Sequence, residues 1–176
     1  MNMIKVIDNQ KIDLNKEECV CTFTLDKNEE AHLLLTNIKN DQNITFDIPE
    51  GAFLHLAILA DKAIDKAKIL ANLALNSQIE VYFADFSNEV NKIDVVINLN
   101  ESGATANWKL ASLSSKNDKK EINVSVFHNA ENTFARVDNY GVAKDQSKLL
   151  FAGTSHSYIR LILSSMSILV KSNEWS

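Results

Sequence analysis

Cys19, Cys21 and His128 are the first side chains of this sequence to weigh as ligands of a metal or cluster. Cys19 and Cys21 stand one residue apart, so on a β-strand both thiols project from one face. Two thiolates on one face can bind a metal ion or cluster once further ligands join them, and His32 is a candidate for that. Phe23 and Leu25 continue the same alternation, which makes the pair read first as core thiols. Residues i and i+2 of one strand are badly placed to form a disulfide with each other. The third candidate, His128, has no second ligand nearby in sequence, and its ring nitrogens are expected to bond the backbone of a turn. His156, in Thr154-Ser155-His156-Ser157, is expected at a polar strand end. Asn132, Thr133, Arg136 and Asp138 are expected on a solvated turn and the polar face of a strand.

Other signatures are missing or bland. There is no Gly-rich phosphate loop, no Gly-flanked nucleophile and no closely spaced His/Glu metal motif, so no catalytic residue is assigned and no enzyme is expected. Lys116, Lys119 and Lys120 read as a solvated basic turn. Asn43-Ile44-Thr45 and Asn123-Val124-Ser125 fit the glycosylation sequon, but Met1 to Lys5 shows no secretion signal. Trp108 and Phe151 fall on inward-facing sets and are expected in the core.

The elements that would position these groups are strands. Ile79, Val81 and Phe83 alternate with polar neighbours, as do Ile93, Val95, Ile97 and Leu99. The same holds for Ala104, Ala106, Trp108 and Leu110, and for Ile122, Val124 and Val126. The breaks between runs are rich in Asn, Asp and Ser, as at Asp26-Lys27-Asn28, Asn40-Asp41 and Asn76-Ser77. Asn tolerates the left-handed conformation, so it can stand in for Gly at turns. That accounts for a strand-rich chain with only four Gly and one Pro. Pro49-Glu50-Gly51 is a conventional turn signal. One stretch is ambiguous: Ala60, Ala63, Ile64, Ala67, Ala71 and Ala74 have helical spacing with Asp61 as a cap, yet Ala67, Ile69, Ala71, Leu73 and Leu75 also fit a strand.

Composition bounds the rest. A chain of 176 residues, 45% hydrophobic and 23% charged, fits one globular domain and excludes a wholly disordered one. Two Cys exclude a disulfide scaffold and suit a reducing, cytoplasmic location. A net charge of −5 argues against a nucleic-acid partner, and no apolar run reaches the roughly 20 residues of a membrane span. The pattern suggests an all-β domain, whether sandwich, barrel or β-solenoid.

Four segments, in order, carry a family resemblance. Asn98-Leu99-Asn100-Glu101-Ser102-Gly103-Ala104 looks like the entry "V-x-L-x-G-x-G-A", with a similar strand following from Ala106 to Leu113. Val126-Phe127-His128-Asn129-Ala130-Glu131-Asn132-Thr133 matches "V-x-H-x-A-x-x-T". Tyr140-Gly141-Val142 looks like "K-G-V", and Ser147-Lys148-Leu149-Leu150-Phe151-Ala152-Gly153 matches "S-x-x-x-F-x-G". Together they resemble the core of the SufB/SufD family, scaffolds of iron–sulfur cluster assembly. The resemblance implies a right-handed parallel β-helix and tips Ala67 to Leu75 toward strand. It divides a single β-helix domain into N-terminal coils (1–50), a best-defined core (51–156) and a tail (157–176).

It further implies a SufD-like scaffold or accessory role, with a SufB-type scaffold and a Suf ATPase subunit as partners. An iron–sulfur cluster is implied only by the family, and no cofactor is expected in this chain itself. Compared with the family, flanking helices are missing, including the C-terminal segment through which the ATPase docks. The tail departs from the family pattern, as a truncated or frame-altered end would. The family's functional Ser-His-Gly-Ala region lies several strands further on, so its role is not carried to His156. Open β-helix ends point to a homodimer. The alternative reading is a β-solenoid protein–protein interaction domain with no cluster role.

Overall fold

Alternating strands joined by left-handed Asn turns wind the chain into coils. The computed structural model describes residues 2–157 and 163–173. The first strands are short: β1 (Asn2–Lys5), β2 (Gln10–Asp13), β3 (Val20–Thr24), β4 (Glu30–Thr36), β5 (Gln42–Ile48) and β6 (Phe53–Ala60). Longer ones follow: β7 (Ile64–Leu73), β8 (Gln78–Asp85), β9 (Val90–Leu99), β10 (Thr105–Ser114), β11 (Lys119–His128), β12 (Phe134–Lys144), β13 (Lys148–Ser157) and β14 (Leu163–Asn173). A 3-10 turn, Leu14–Lys16, is capped by the Asp13 carboxylate and buries Leu14.

Odd-numbered strands form one seven-stranded sheet and even-numbered strands the other. The recorded strand pairs are all parallel, and each joins a strand to the one two positions later in the chain. The result is a two-sheet parallel β-helix, the fold class that the resemblance implied. The coils lengthen along the chain. Side-chain rungs from coil to coil join residues 25 apart at Asp47–Asn72, 26 apart at Asn72–Asn98 and 29 apart at Asp94–Asn123. This drift is why no exact repeat shows in the sequence.

The core lies between the sheets. Phe23, Phe46, Leu56, Phe83, Trp108 and Ile122 are all buried there, and Phe151 closes it late in the chain. Phe23 stacks on Phe46, and Phe83 meets Trp108 edge-on at 5.8 Å between centroids. The ambiguous stretch is strand. In β7, Ala67, Ile69, Ala71 and Leu73 point inward and pair on both sides, with β5 and with β9. Parallel pairing on two sides overrides the helix propensity of Ala. Asp61 lies in an exposed turn and caps no helix.

The turns follow the Asn reading. Asn9, Asn28, Asn37, Asn76 and Asn132 have positive φ, as do Asp41 and Asp145. Glu89 and Lys116 also do, and carboxylates hold their amides. Asp118 Oδ1 accepts from Glu89 N at 2.7 Å, and Asp145 Oδ2 accepts from Lys116 N at 2.8 Å. In the tail, β14 pairs with β12, while residues 158–162 and 174–176 lie outside the described residues.

Candidate functional site

The two cysteines do not share a face. Cys19 sits in a bend before β3 and is exposed, whereas Cys21 is buried. The bend breaks the alternation one residue too early for both thiols to project together. Gln42 Nε2 contacts Cys21 Sγ at 3.5 Å, and burial pushes the Cys21 thiol above its ordinary pKa. That is an inert core thiol, as the sequence reading had it for this residue. His32 does not join them: it lies on β4, in the other sheet.

His128 ends β11 and is fully buried. The Thr133 hydroxyl donates to the Ala130 carbonyl at 3.1 Å, so it accepts from His128 Nδ1–H at 2.8 Å. The ring therefore bonds a side-chain hydroxyl of the turn rather than its backbone. Its Nε2 is buried with no hydrogen-bond partner among the described residues, and burial holds the ring's pKa below the ordinary histidine value. Exposed His156 stacks on Phe127 at 4.8 Å. Arg136 Nε donates to Asp138 Oδ2 at 2.6 Å, and Ser167 bonds Oδ1 of the same carboxylate. Asp138 is thereby buried, not solvated as its sequence context suggests.

The lysine cluster is also split. Lys120 is buried, with Nζ 3.1 Å from Asp85 Oδ2 and donating to the Leu113 carbonyl at 2.7 Å. Asp85 accepts further from Ser112 Oγ at 2.7 Å, Ser87 Oγ at 2.6 Å and Asn91 Nδ2 at 3.0 Å. This knot ties the end of β8 to β10 and to the starts of β9 and β11. Every oxygen of the carboxylate is bonded, so it is a closed structural element and offers no position for a ligand.

The outer face of the even-numbered sheet carries an open polar cluster. Parallel register places His32 of β4 directly beside His55 of β6, and His55 beside Glu80 of β8. The two imidazoles stack with centroids 4.5 Å apart and planes 8° apart. Asp8 Oδ1 is 2.9 Å from His32 Nδ1, and the His32 ring and backbone N–H groups hold the Asp8 carboxyl below the usual carboxylate range. Glu30 Oε1 is 3.1 Å from His55 Nε2, and Glu80 Oε2 is 3.5 Å from His55 Nδ1. Phe53 packs against the His55 ring at 3.9 Å.

Glu80 is itself anchored. Lys109 Nζ donates to its Oε1 at 2.8 Å and Tyr82 Oη at 2.7 Å, and together they lower its pKa. His32, His55, Glu80 and Tyr82 line a shallow cleft of about 440 Å³. The sequence reading missed this cluster. Its signal was Glu30-x-His32, which puts both side chains on one face of a strand, but His55 arrives only through the coil closure.

Residues 8–157 match the family model described as SUF system FeS cluster assembly, SufBD core domain. No curated protein and no solved structure matches the chain. Among the described residues no helix is long and apolar enough to cross a membrane.

Proposed function

The chain belongs to the SufBD core-domain family of the SUF iron–sulfur cluster assembly system, and we propose that it serves there as a non-enzymatic, SufD-like scaffold or accessory protein of the cytoplasm. The observation that carries this reading is the extent of the match: it runs from Asp8 to Ser157, across nearly every described coil of the β-helix. A stack of coils offers flat sheet faces and end coils, which are surfaces suited to partners. The expected partners are a SufB-type scaffold and, through it, a nucleotide-hydrolysing subunit. In their absence a second copy of the chain covers an end coil, giving a homodimer.

A second reading has its own support. The outer face of the even-numbered sheet exposes Phe86, Leu113 and Tyr140 around an apolar depression of about 340 Å³. Such a patch suits a protein–protein interaction domain with no cluster role. Co-purification from the native cell separates the two. A SufB-type scaffold with an ATPase supports the first reading. Recovery from the native cell without a SufB-type scaffold or an ATPase, while those proteins are present there, overturns it in favour of the second.

A further inference from the structure

The cluster on β4 and β6 has the makings of a transition-metal site. Glu30, His32 and His55 each bring one ligand atom within 4.8 Å of the other two. Ligands on one tetrahedral ion with bonds near 2.0–2.1 Å stand roughly 3.4 Å apart. Rotation about the side-chain bonds of Glu30 and His32 closes that gap, since both are exposed. The backbone need not move, because the register already sets Glu30 two residues from His32 and His55 beside it.

The surrounding carboxylates point the same way. Metal-bound imidazoles generally donate their second ring N–H to a carboxylate or carbonyl, which fixes the tautomer and strengthens the ligating nitrogen. Here Asp8 Oδ1 faces His32 Nδ1 at 2.9 Å and Glu80 Oε2 faces His55 Nδ1 at 3.5 Å. For His32 this contact leaves Nε2 as the lone-pair nitrogen, and that atom makes no hydrogen bond among the described residues. For His55 the hydrogen bond to Glu30 lies at Nε2, so an ion there would take the place of the proton between them, and the Nδ1–H would then face Glu80. Phe53 backs the His55 ring, and the Lys109–Tyr82 pair pins Glu80, so the supporting groups are ordered without a metal. Two imidazoles and a carboxylate suit borderline divalent ions such as Zn²⁺ and Co²⁺ better than Ca²⁺ or Mg²⁺.

We propose that Glu30, His32 and His55 bind one first-row divalent transition-metal ion on the outer face of the β-helix, with Asp8 and Glu80 orienting the two imidazoles. The three ligands leave the ion open to solvent or to a ligand from a partner.

The test is titration of the full chain with Zn²⁺ by calorimetry, and with Co²⁺ by visible absorption. One Zn²⁺ per chain and a Co²⁺ ligand-field band are expected. Both His55→Gln and His32→Gln weaken binding at least tenfold, and Asp8→Asn weakens it about tenfold through loss of orientation. Cys19→Ser and His156→Gln, which remove exposed donors elsewhere, leave it unchanged. Histidine ring resonances supply a readout on the unmodified protein: of the four His, only His32 and His55 shift with Zn²⁺. Absence of saturable binding at millimolar Zn²⁺, equal affinity in the His variants, or shifts centred on His156 overturns the site.

Discussion

Asn76 occupies the space that a side chain on Gly103 would need. Its Oδ1 lies 2.1 Å from where a Cβ on Gly103 would stand, and Gly103 has φ +75°. The arrangement also occurs two coils earlier, with Asn28 Oδ1 2.1 Å from the corresponding point on Gly51 at φ +67°. One corner of the β-helix is thus a column of left-handed residues, Asn28, Gly51, Asn76, Gly103 and Asn132. Backbone bonds link its members: Asn28 N to Glu50 O, Gly51 N to Leu75 O and Asn76 N to Ser102 O, each near 3.0 Å. Asn and Gly alternate because an Asn side chain leans into the next coil, where only Gly leaves room.

Gly103→Ala is therefore expected to destabilise the fold by about 1–2 kcal/mol for the left-handed backbone alone, with more for displacing Asn76. Asn76→Gly keeps the backbone permissive and removes the obstructing amide. The double variant should be more stable than the sum of the single effects, by at least about 0.5 kcal/mol. Urea unfolding of the four proteins measures this. Strict additivity would show that the close approach has no energetic meaning.

The buried Asp85–Lys120 pair makes a second expectation. Replacing Lys120 by Met leaves a buried carboxylate without its counter-charge, although Ser87, Ser112 and Asn91 still donate to it. Loss of one partner of such a pair costs about 3–5 kcal/mol, a large share of an ordinary domain's stability. Adding Asp85→Asn removes the stranded charge, so the double variant should recover part of the loss. Chemical denaturation in which Lys120→Met unfolds like the native chain would place Lys120 in solvent instead.

These two cases mark where sequence reading stops. The strands were legible because buried side chains such as Ile93, Val95 and Ile97 alternate visibly, and Asn turns explain the scarcity of glycine. Lys120 was not legible: beside Lys116 and Lys119 it looks solvated, and its partner Asp85 belongs to an earlier coil. The same distance hides the histidine cluster, for His32 and His55 meet only once β4 and β6 are in register, and the lengthening coils prevent that register from being counted in advance. Cys19 failed for a local reason, a bend that starts β3 one residue later than the alternation suggests. The Ala-rich β7 was ambiguous because its own residues prefer helix, and only pairing with β5 and β9 decides it.

His128 gives the stability of the fold a pH dependence of its own. The buried ring is neutral, and desolvation keeps its pKa below the ordinary value of 6.5. As pH falls past about 6.5 the unfolded chain takes up a proton at this residue while the folded chain does not, so the unfolded state binds more protons and stability declines. The slope cannot exceed about 1.4 kcal/mol per pH unit for one group, and it ends once pH passes below the folded pKa. The slope fades above the ordinary histidine value and is negligible by about pH 8. Glu80, lowered chiefly by Lys109, acts in the same sense but below the ordinary carboxylate value of 4.5, so the two windows separate. Urea unfolding between pH 5 and pH 8 should show the decline in the native chain. It should be diminished in His128→Asn, whose amide can still donate to Thr133 but cannot titrate. An equal decline in both proteins would assign the proton uptake to another group and leave His128 without this role.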